Sequence, residues 1–435
     1  MIIKGVKELA PVKNVYKLDH GVNLHSIELP KFKTNVLGFY IRRPLSIEEA
    51  SKNALITRLL KRASSKYPTT MNLHVELDNL YGSVLMSDVS KMGDTQVVEF
   101  AVQFPNKKHI PEKDILLKEL QLLKELIFEP LYDGDGFNKV LFEEEKFLLE
   151  QEINSRVNDK MQYSMERCIE TMCKDESYKI HKYGDVDQLN KITPSSLKSH
   201  FEEILKTSLI DIIVVGDINS EDVRAKVEDT FSFERTDIIK INRETYKYPV
   251  EDVTYKVEEF DVQQGKLNLG FRTQIGYNDP LYHASLMFSY VFGGGANSKL
   301  FRNVREKESL CYYVFSRIEK FKSLMLVGSG IEVENYDLTL KLILKEFDNV
   351  KNGDFTEEEL NLAKLTVGRS LRSMNDSQHS YMGFYFSQLV SSQNFDLDEL
   401  INSINAVTRE EVIEAGKYIQ LDTVHFLTAK KEIAS

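Results

Sequence analysis

An internal repeat constrains the fold of this chain more than any other feature of its sequence. A Leu-Gly-Phe triplet ends a strand-like segment at 37–39 and recurs in the same setting at 269–271. A segment leading into a second strand pattern, 80–84, is followed at nearly the same spacing by a counterpart at 310–314. Because a repeat of this length indicates two copies of one structural unit, the sequence predicts two halves built on the same plan.

Each half mixes strands with long helices. Residues 97–104 and 324–331 have the composition and short period of strands, whereas 114–128 and 356–374 carry apolar residues at helical spacing. The predicted fold class is α+β. We expect two homologous domains, each a mostly antiparallel sheet covered by helices on one face.

The junction between the halves is predicted from a change of composition. Residues 231–253 are charged, lose clear periodicity and include Pro249. Such a stretch is typical of a linker between two compact units. We therefore place an N-terminal domain at 1–235, a linker at 236–252 and a C-terminal domain at 253–435.

Composition excludes several classes of function. A net charge of -11 and a pI near 5.5, without a block of lysine and arginine, argue against a nucleic-acid partner. The first eleven residues lack the charged-then-apolar pattern of a signal peptide, and no apolar run is long enough to cross a bilayer. We expect a cytoplasmic protein with no membrane association. Three cysteines form no disulfide framework and are predicted to be reduced packing residues: Cys168, Cys173 and Cys311.

The segment 292–316, FGGGANSKLFRNVREKESLCYYVFS, resembles the second-domain signature of the insulinase/pitrilysin peptidases. The likeness is to their half-length branch, which includes the mitochondrial processing peptidases, and segments at 19–29 and 210–219 also fit. The resemblance implies two similar α+β domains that form a half-shell. Two half-shells would close around a chamber that holds an unfolded peptide.

Active members of this family carry His-x-x-Glu-His on the first long helix, where the histidines bind zinc and the glutamate activates water. Aligned on the preceding hairpin, the resemblance puts Ile56, Leu59 and Leu60 at those positions. None of these can bind zinc, so no metal site is predicted. Glu145 and Glu152 keep the spacing of the helix that supplies the third ligand, although without partner ligands a solvated face of glutamates over 143–152 is the simpler interpretation.

The family's helper subunits point an arginine and a tyrosine at the scissile peptide, and Arg305 and Tyr312 match those positions. A guanidinium or phenol can stabilise the oxyanion formed when zinc-bound water attacks a carbonyl. The alternative is that both side chains belong to an ordinary charged stretch and an aromatic core. Gly293, Gly294 and Gly295 would border the substrate channel by the same resemblance, and a helix end with a turn is the alternative there.

Two hypotheses of different class follow. The first is a non-catalytic, zinc-free subunit of a heterodimeric metallopeptidase, with zinc in a half-length sister subunit that bears His-x-x-Glu-His and with a peptide as substrate. In isolation a self-dimer would be possible. The second is a scaffold subunit without a peptidase role. An autonomous peptidase with an unfamiliar site is the weakest alternative.

Overall fold

A computed structural model describes residues 11–242 and 247–430. Three parts of the predictions lie outside these residues, namely the start of the chain at 1–10, residues 243–246 of the linker and the last five residues of the second domain. The strands are β1 (Val12–Asp19), β2 (Val22–Glu28), β3 (Thr34–Pro44), β4 (Val84–Met92), β5 (Thr95–Pro105), β6 (Tyr132–Asp133), β7 (Gly136–Phe137), β8 (Leu209–Gly216), β9 (Thr254–Phe260), β10 (Gly265–Arg272), β11 (Cys311–Glu319), β12 (Leu324–Ile331) and β13 (Gln420–Ala429).

Fourteen α-helices lie within the described residues. They are α1 (Ile47–Leu60), α2 (Thr70–Asn79), α3 (Ile115–Phe128), α4 (Lys139–Ser155), α5 (Lys160–Met172), α6 (Val186–Asn190), α7 (Pro194–Thr207), α8 (Ser220–Thr230), α9 (Tyr282–Gly293), α10 (Tyr336–Lys351), α11 (Glu357–Ser373), α12 (Gln378–Ser391), α13 (Leu397–Ala406) and α14 (Arg409–Tyr418). A π-helix spans Leu300–Lys307. No helix in the described part of the chain is long and apolar enough to cross a membrane.

The two halves form sheets of equivalent topology. The first sheet has the order β1-β2-β8-β3-β5-β4, and the second has the order β11-β12-β10-β13-β9. When the second sheet is listed in reverse order, its strands correspond one by one to strands of the first sheet: β9 to β2, β13 to β8, β10 to β3, β12 to β5 and β11 to β4. Among the described strands of the first sheet, the edge strand β1 has no counterpart in the second sheet. The α+β class and the mostly antiparallel sheets are therefore confirmed, with parallel pairs at β2–β8 and β9–β13.

The predicted linker contains no helix or strand in its described residues, 236–242 and 247–252. The segment nonetheless follows the surface of the first half, since Thr236 and Ile239 donate backbone hydrogen bonds to the end of α7. The limits of the two domains stay a prediction.

Both faces of each sheet are covered, because a helix crosses from each half to the other. Helix α5 of the first half packs on β10 and β13, and α12 of the second half packs on β8 and β3. Alternate residues of a strand point to opposite faces. Phe39 accordingly faces the helices of its own half, whereas Tyr40 stacks on Phe386 of α12 with ring centroids 4.3 Å apart.

The glycines of the repeated triplet lie where these crossing helices approach the sheets. A Cβ on Gly270 would lie 2.6 Å from the sulfur of Met172 on α5, and one on Gly38 would lie 3.1 Å from the sulfur of Met382 on α12. A Cβ at these distances would force the methionine side chains to shift, so glycine lets the helices lie this close without displacing them. The triplet that revealed the repeat thus marks the reciprocal contact between the halves.

Buried polar groups fix the same contact. His25 on β2 contacts Asp211 at 3.0 Å through Nε2, and its Nδ1 lies 3.0 Å from the hydroxyl of Tyr385 on α12. Burial alone would raise the pKa of Asp211, but the hydrogen bond with His25 and the charge of Arg42 hold it below its ordinary value. Lys322, whose side chain is fully buried, pairs with Glu176 of the first half at 2.9 Å.

The three cysteines are buried and free, as expected. Burial raises the pKa of Cys173 to about 12 and that of Cys311 to about 11. A thiol protonated at neutral pH is a poor nucleophile and a poor metal ligand. All three therefore act as packing residues.

Candidate functional site

The end of α1, the two residues that follow it and helix α4 bring two arginines and three glutamates together in the first half. Arg58 Nε donates to Glu145 Oε2 at 2.9 Å, and Arg58 Nη1 donates to Glu152 Oε2 at 2.7 Å. Arg62, one helical turn further on, donates to the other oxygen of Glu145 and to Glu144 at 3.2 Å. Glu145 is only 2% exposed, so the predicted solvated face of glutamates is wrong for this residue.

The cluster corrects the predicted alignment of the zinc motif. Ile56, Leu59 and Leu60 are buried in the apolar core of the first half rather than in contact with the carboxylates of α4. The residues that face those carboxylates are Arg58 and Arg62. They belong to the segment Arg-Leu-Leu-Lys-Arg at 58–62, in which basic residues have the spacing of His-x-x-Glu-His. Judged by contact with these carboxylates, the motif aligns two residues later than predicted.

This site does not fit a zinc ion. Zinc binds to imidazole, thiolate and carboxylate ligands, and a catalytic site needs about three of them with an open position. Here the carboxylates are held by guanidinium groups, which cannot be deprotonated in proteins and cannot act as ligands. Within residues 11–242 and 247–430, no group of three or more His, Cys, Asp and Glu side chains is arranged to hold a metal.

In the second half, the glycine-rich loop ends a helix and borders a groove. Helix α9 ends at Gly293, and Gly294 follows as its C-cap, which agrees with the alternative of a helix end and turn. A Cβ on Gly293 would lie 2.7 Å from the backbone nitrogen of Ser316 on β11, so glycine is needed for α9 to pack this closely on the strand. Gly295 has φ +152°, a backbone conformation that residues other than glycine rarely adopt.

The groove beside this loop has a volume of 420 Å³. It is lined by the three glycines and by residues 314–318 of β11. Strand β11 lies at an edge of the second sheet, where β12 is its one partner strand among the described residues. An edge strand presents backbone N–H and C=O groups that an extended peptide can pair with.

Arg305 and Tyr312 lie on consecutive elements next to this groove. Arg305 is exposed on the π-helix, where its guanidinium lies 4.6 Å from the ring centroid of Phe301. The π-helix that carries Arg305 packs against β11, and Tyr312 lies at the start of that strand. No ion pair of Arg305 occurs in the described residues, whereas its neighbour Arg302 pairs with Glu359 at 2.9 Å.

Tyr312 is 52% exposed, which excludes the alternative that it belongs to the aromatic core. Its hydroxyl donates to the carboxylate of Glu332. This hydrogen bond raises the pKa of Tyr312, so the phenol is kept as a donor. Glu332 was missed by the sequence analysis because it lies in the turn after β12, and only the pairing of β11 with β12 brings it close to Tyr312.

Fold and sites together define a class of protein: a chain of two α+β repeats in which the helix pair used by metallopeptidases carries arginines. A model of the peptidase M16 inactive domain matches residues 191–367. The chain is 37% identical over 418 residues to the "Probable inactive metalloprotease YmfF" of Bacillus subtilis, covering 95% of this chain and 97% of that protein. The chain thus belongs to the insulinase/pitrilysin-type, or M16, peptidase family, as an inactive homologue.

Two further comparisons agree. The crystal structure of a conserved protein from Enterococcus faecalis V583 superposes with a TM-score of 0.91 at 30% identity, covering 97% of this chain and 99% of that one. The "Non-peptidase homolog YmxG" of Helicobacter pylori is 24% identical over 298 residues, which are 67% of this chain and 66% of that protein. The Enterococcus faecalis structure agrees with the fold, and the name of the Helicobacter pylori relative agrees with an inactive member of the family.

Proposed function

We propose that this chain is the zinc-free subunit of a heterodimeric metallopeptidase. Its second half would supply Arg305, Tyr312 and the glycine-lined groove to the zinc site of a half-length sister subunit that carries His-x-x-Glu-His. The observation that carries the proposal is a contrast between the halves. Both carboxylate oxygens of Glu145 in the first half are held by arginines, whereas Arg305 is exposed and has no carboxylate partner in the described residues.

The chemistry of these residues suits acyl transfer. When a zinc-bound water attacks a peptide carbonyl, negative charge develops on the carbonyl oxygen, and a donor placed there lowers the barrier. The Arg305 guanidinium brings a permanent positive charge. The Tyr312 hydroxyl would turn from Glu332 toward the substrate, and Glu332 would hold it as a donor until the substrate arrives.

Peptide binding is supported by the groove. Strand addition at β11 would use main-chain hydrogen bonds and would therefore depend little on the side chains of the peptide. The glycines on the other wall leave room for a backbone to approach. Peptide binding, the sister subunit and its zinc belong to this proposal.

The test is reconstitution with the His-x-x-Glu-His protein of similar length from the same host. Cleavage of a quenched fluorescent peptide library is measured for the mixture and for each subunit alone. The proposal predicts activity only in the mixture. It predicts a loss of about 10²–10³ in kcat for Arg305→Ala, as expected for removal of one oxyanion donor, and a smaller loss for Tyr312→Phe.

Matched controls are available in the chain. Arg302→Ala removes another exposed arginine of the same π-helix, and Tyr255→Phe removes the hydroxyl of a tyrosine that is exposed on the opposite edge strand. Both should leave kcat within about twofold, because Arg302 is held by Glu359 and Tyr255 lies at the opposite edge of the sheet. If Arg305→Ala and Tyr312→Phe match these controls in an active mixture, the helper function is wrong. Full activity of the variants, or a complex without any peptidase activity, would favour the scaffold.

A further inference from the structure

A second cavity lies among the helices of the second half and shares one lining residue, Leu286, with the groove. Its volume is 320 Å³. Helices α9, α11, α12 and α13 supply an apolar wall, formed by Leu286, Val367, Leu371, Phe384, Leu400 and Ile404. An apolar cavity of ~150 Å³ holds one benzene molecule, so this cavity has room for a branched aliphatic or aromatic side chain together with the group that bears it.

One positive charge lines this apolar space. Lys320, in the turn between β11 and β12, donates from Nζ to the hydroxyl of Ser387 at 2.9 Å and lies 5.0 Å from the ring centroid of Tyr277. Among the described residues Lys320 forms no ion pair, and Glu319 is the one carboxylate whose charge acts on its ammonium group. Burial lowers the pKa of Lys320 to about 8, against the opposing charge of Glu319. A half-buried ammonium group without an ion pair favours the binding of an anion.

A hydrogen-bond acceptor without a partner lines the cavity as well. Gln388 is 2% exposed, and its Nε2 donates to the Tyr277 hydroxyl at 3.0 Å. Its Oε1 is buried and accepts no hydrogen bond. Buried polar atoms without partners are rare in folded proteins, since each costs free energy. A ligand that brings an N–H group to this oxygen would remove that cost.

We propose that this cavity binds N-acylated apolar α-amino acids, with the apolar side chain against the helix wall, the carboxylate on Lys320 and the amide N–H on Gln388 Oε1. Two kinds of molecule present this apolar side chain, amide and carboxylate together: a free acyl amino acid and the C-terminal residue of a peptide. The inference does not rest on a sister subunit or on Arg305 and Tyr312, because none of them contributes to the cavity.

Isothermal titration calorimetry on the full chain tests the proposal with three probes. These are N-acetyl-leucine, its C-terminal amide, and an acetylated hexapeptide that ends in leucine. N-acetyl-leucine should bind at least about tenfold more tightly than the amide, because the amide lacks the charge that pairs with Lys320. A hexapeptide about tenfold tighter than N-acetyl-leucine would assign the site to peptide termini, and equal affinities would assign it to free acyl amino acids.

Variants of two lining residues and of one surface residue test whether the probes bind in the cavity. Lys320→Met should remove the preference for the carboxylate, whereas Lys341→Met, at an exposed position on α10, should change nothing. Gly383 on α12 lines the cavity, and a Cβ there meets no atom within 4 Å, so Gly383→Leu should obstruct the cavity in a folded protein. Equal binding of the acid and its amide, or unchanged binding in Gly383→Leu, would overturn the proposal, as would the absence of binding by every probe.

Discussion

Replacing Arg58 and Arg62 together by histidine should convert the arginine cluster into a metal site. The two positions are one helical turn apart and face Glu145 and Glu152. Without metal, the double variant leaves the buried Glu145 carboxylate without its two guanidinium partners. Loss of the partners of a buried charge costs about 3–5 kcal/mol. At about 2–4 °C per kcal/mol for a domain of this size, Tm should fall by roughly 10 °C.

Zinc should reverse most of this loss. The two introduced histidines and Glu152 provide three ligands, with a fourth position for water. Because zinc would bind the folded state, zinc at about a hundred times its dissociation constant should stabilise by about 2.7 kcal/mol and raise Tm by roughly 8 °C. Differential scanning fluorimetry with zinc or EDTA measures the shift. Elemental analysis of the dialysed protein should find about one zinc per chain.

The control is Arg58→Gln with Arg62→Gln, which removes the same ion pairs but supplies no imidazole. It should lose the same stability and show no response to zinc. If the histidine variant behaves like the glutamine variant, positions 58 and 62 do not correspond to the metal-binding positions. The correction of the alignment would then be refuted.

Three further variants test the contact between the halves and the buried ionisable groups by chemical denaturation. Gly270→Ala should destabilise by about 1–3 kcal/mol because its Cβ displaces the Met172 side chain, and an unchanged midpoint would contradict the close approach of α5. Lys322→Met should cost about 3–5 kcal/mol by leaving Glu176 short of a partner, and a loss below about 1 kcal/mol would show that Arg272 alone suffices. Burial lowers the pKa of His200 to about 4, so as pH falls below about 6.5 this imidazole is protonated in the unfolded state before it is protonated in the folded state. Between pH 6.5 and 5 this difference should lower the free energy of unfolding by about 2 kcal/mol. His200→Gln should remove that part of the pH dependence.

The sequence predicted the duplicated fold because its signals were local. The strands and helices expected at 97–104, 324–331, 114–128 and 356–374 are β5, β12, α3 and α11, each within one or two residues of the expected limits. The spacing of apolar residues in each of these elements can be read from the sequence of that element alone. The exchange of α5 and α12 between the halves was not foreseen. A helix shows in its sequence which of its faces is apolar, but not which sheet will cover that face.

The alignment of the zinc motif was lost for a related reason. The resemblance aligns the motif on the hairpin before α1 and rests on the missing His and Glu. It takes no account of which side chains at the end of α1 face α4. The spacing of Arg58 and Arg62 could have indicated the cluster, since two arginines four residues apart share one helix face. Their partners on α4 lie more than eighty residues away in the sequence and are brought close only by packing.

Charge explains why arginines, rather than apolar residues, occupy these positions. The α4 helix keeps Glu145 in the interior, and a buried carboxylate needs a positive partner whether or not a metal is present. Two guanidinium groups provide that charge without depending on a metal. Because they cannot lose a proton to bind zinc, they also close the site to it. The first half therefore keeps a buried carboxylate on α4 without a metal, and the proposed part in catalysis rests on Arg305 and Tyr312 of the second half.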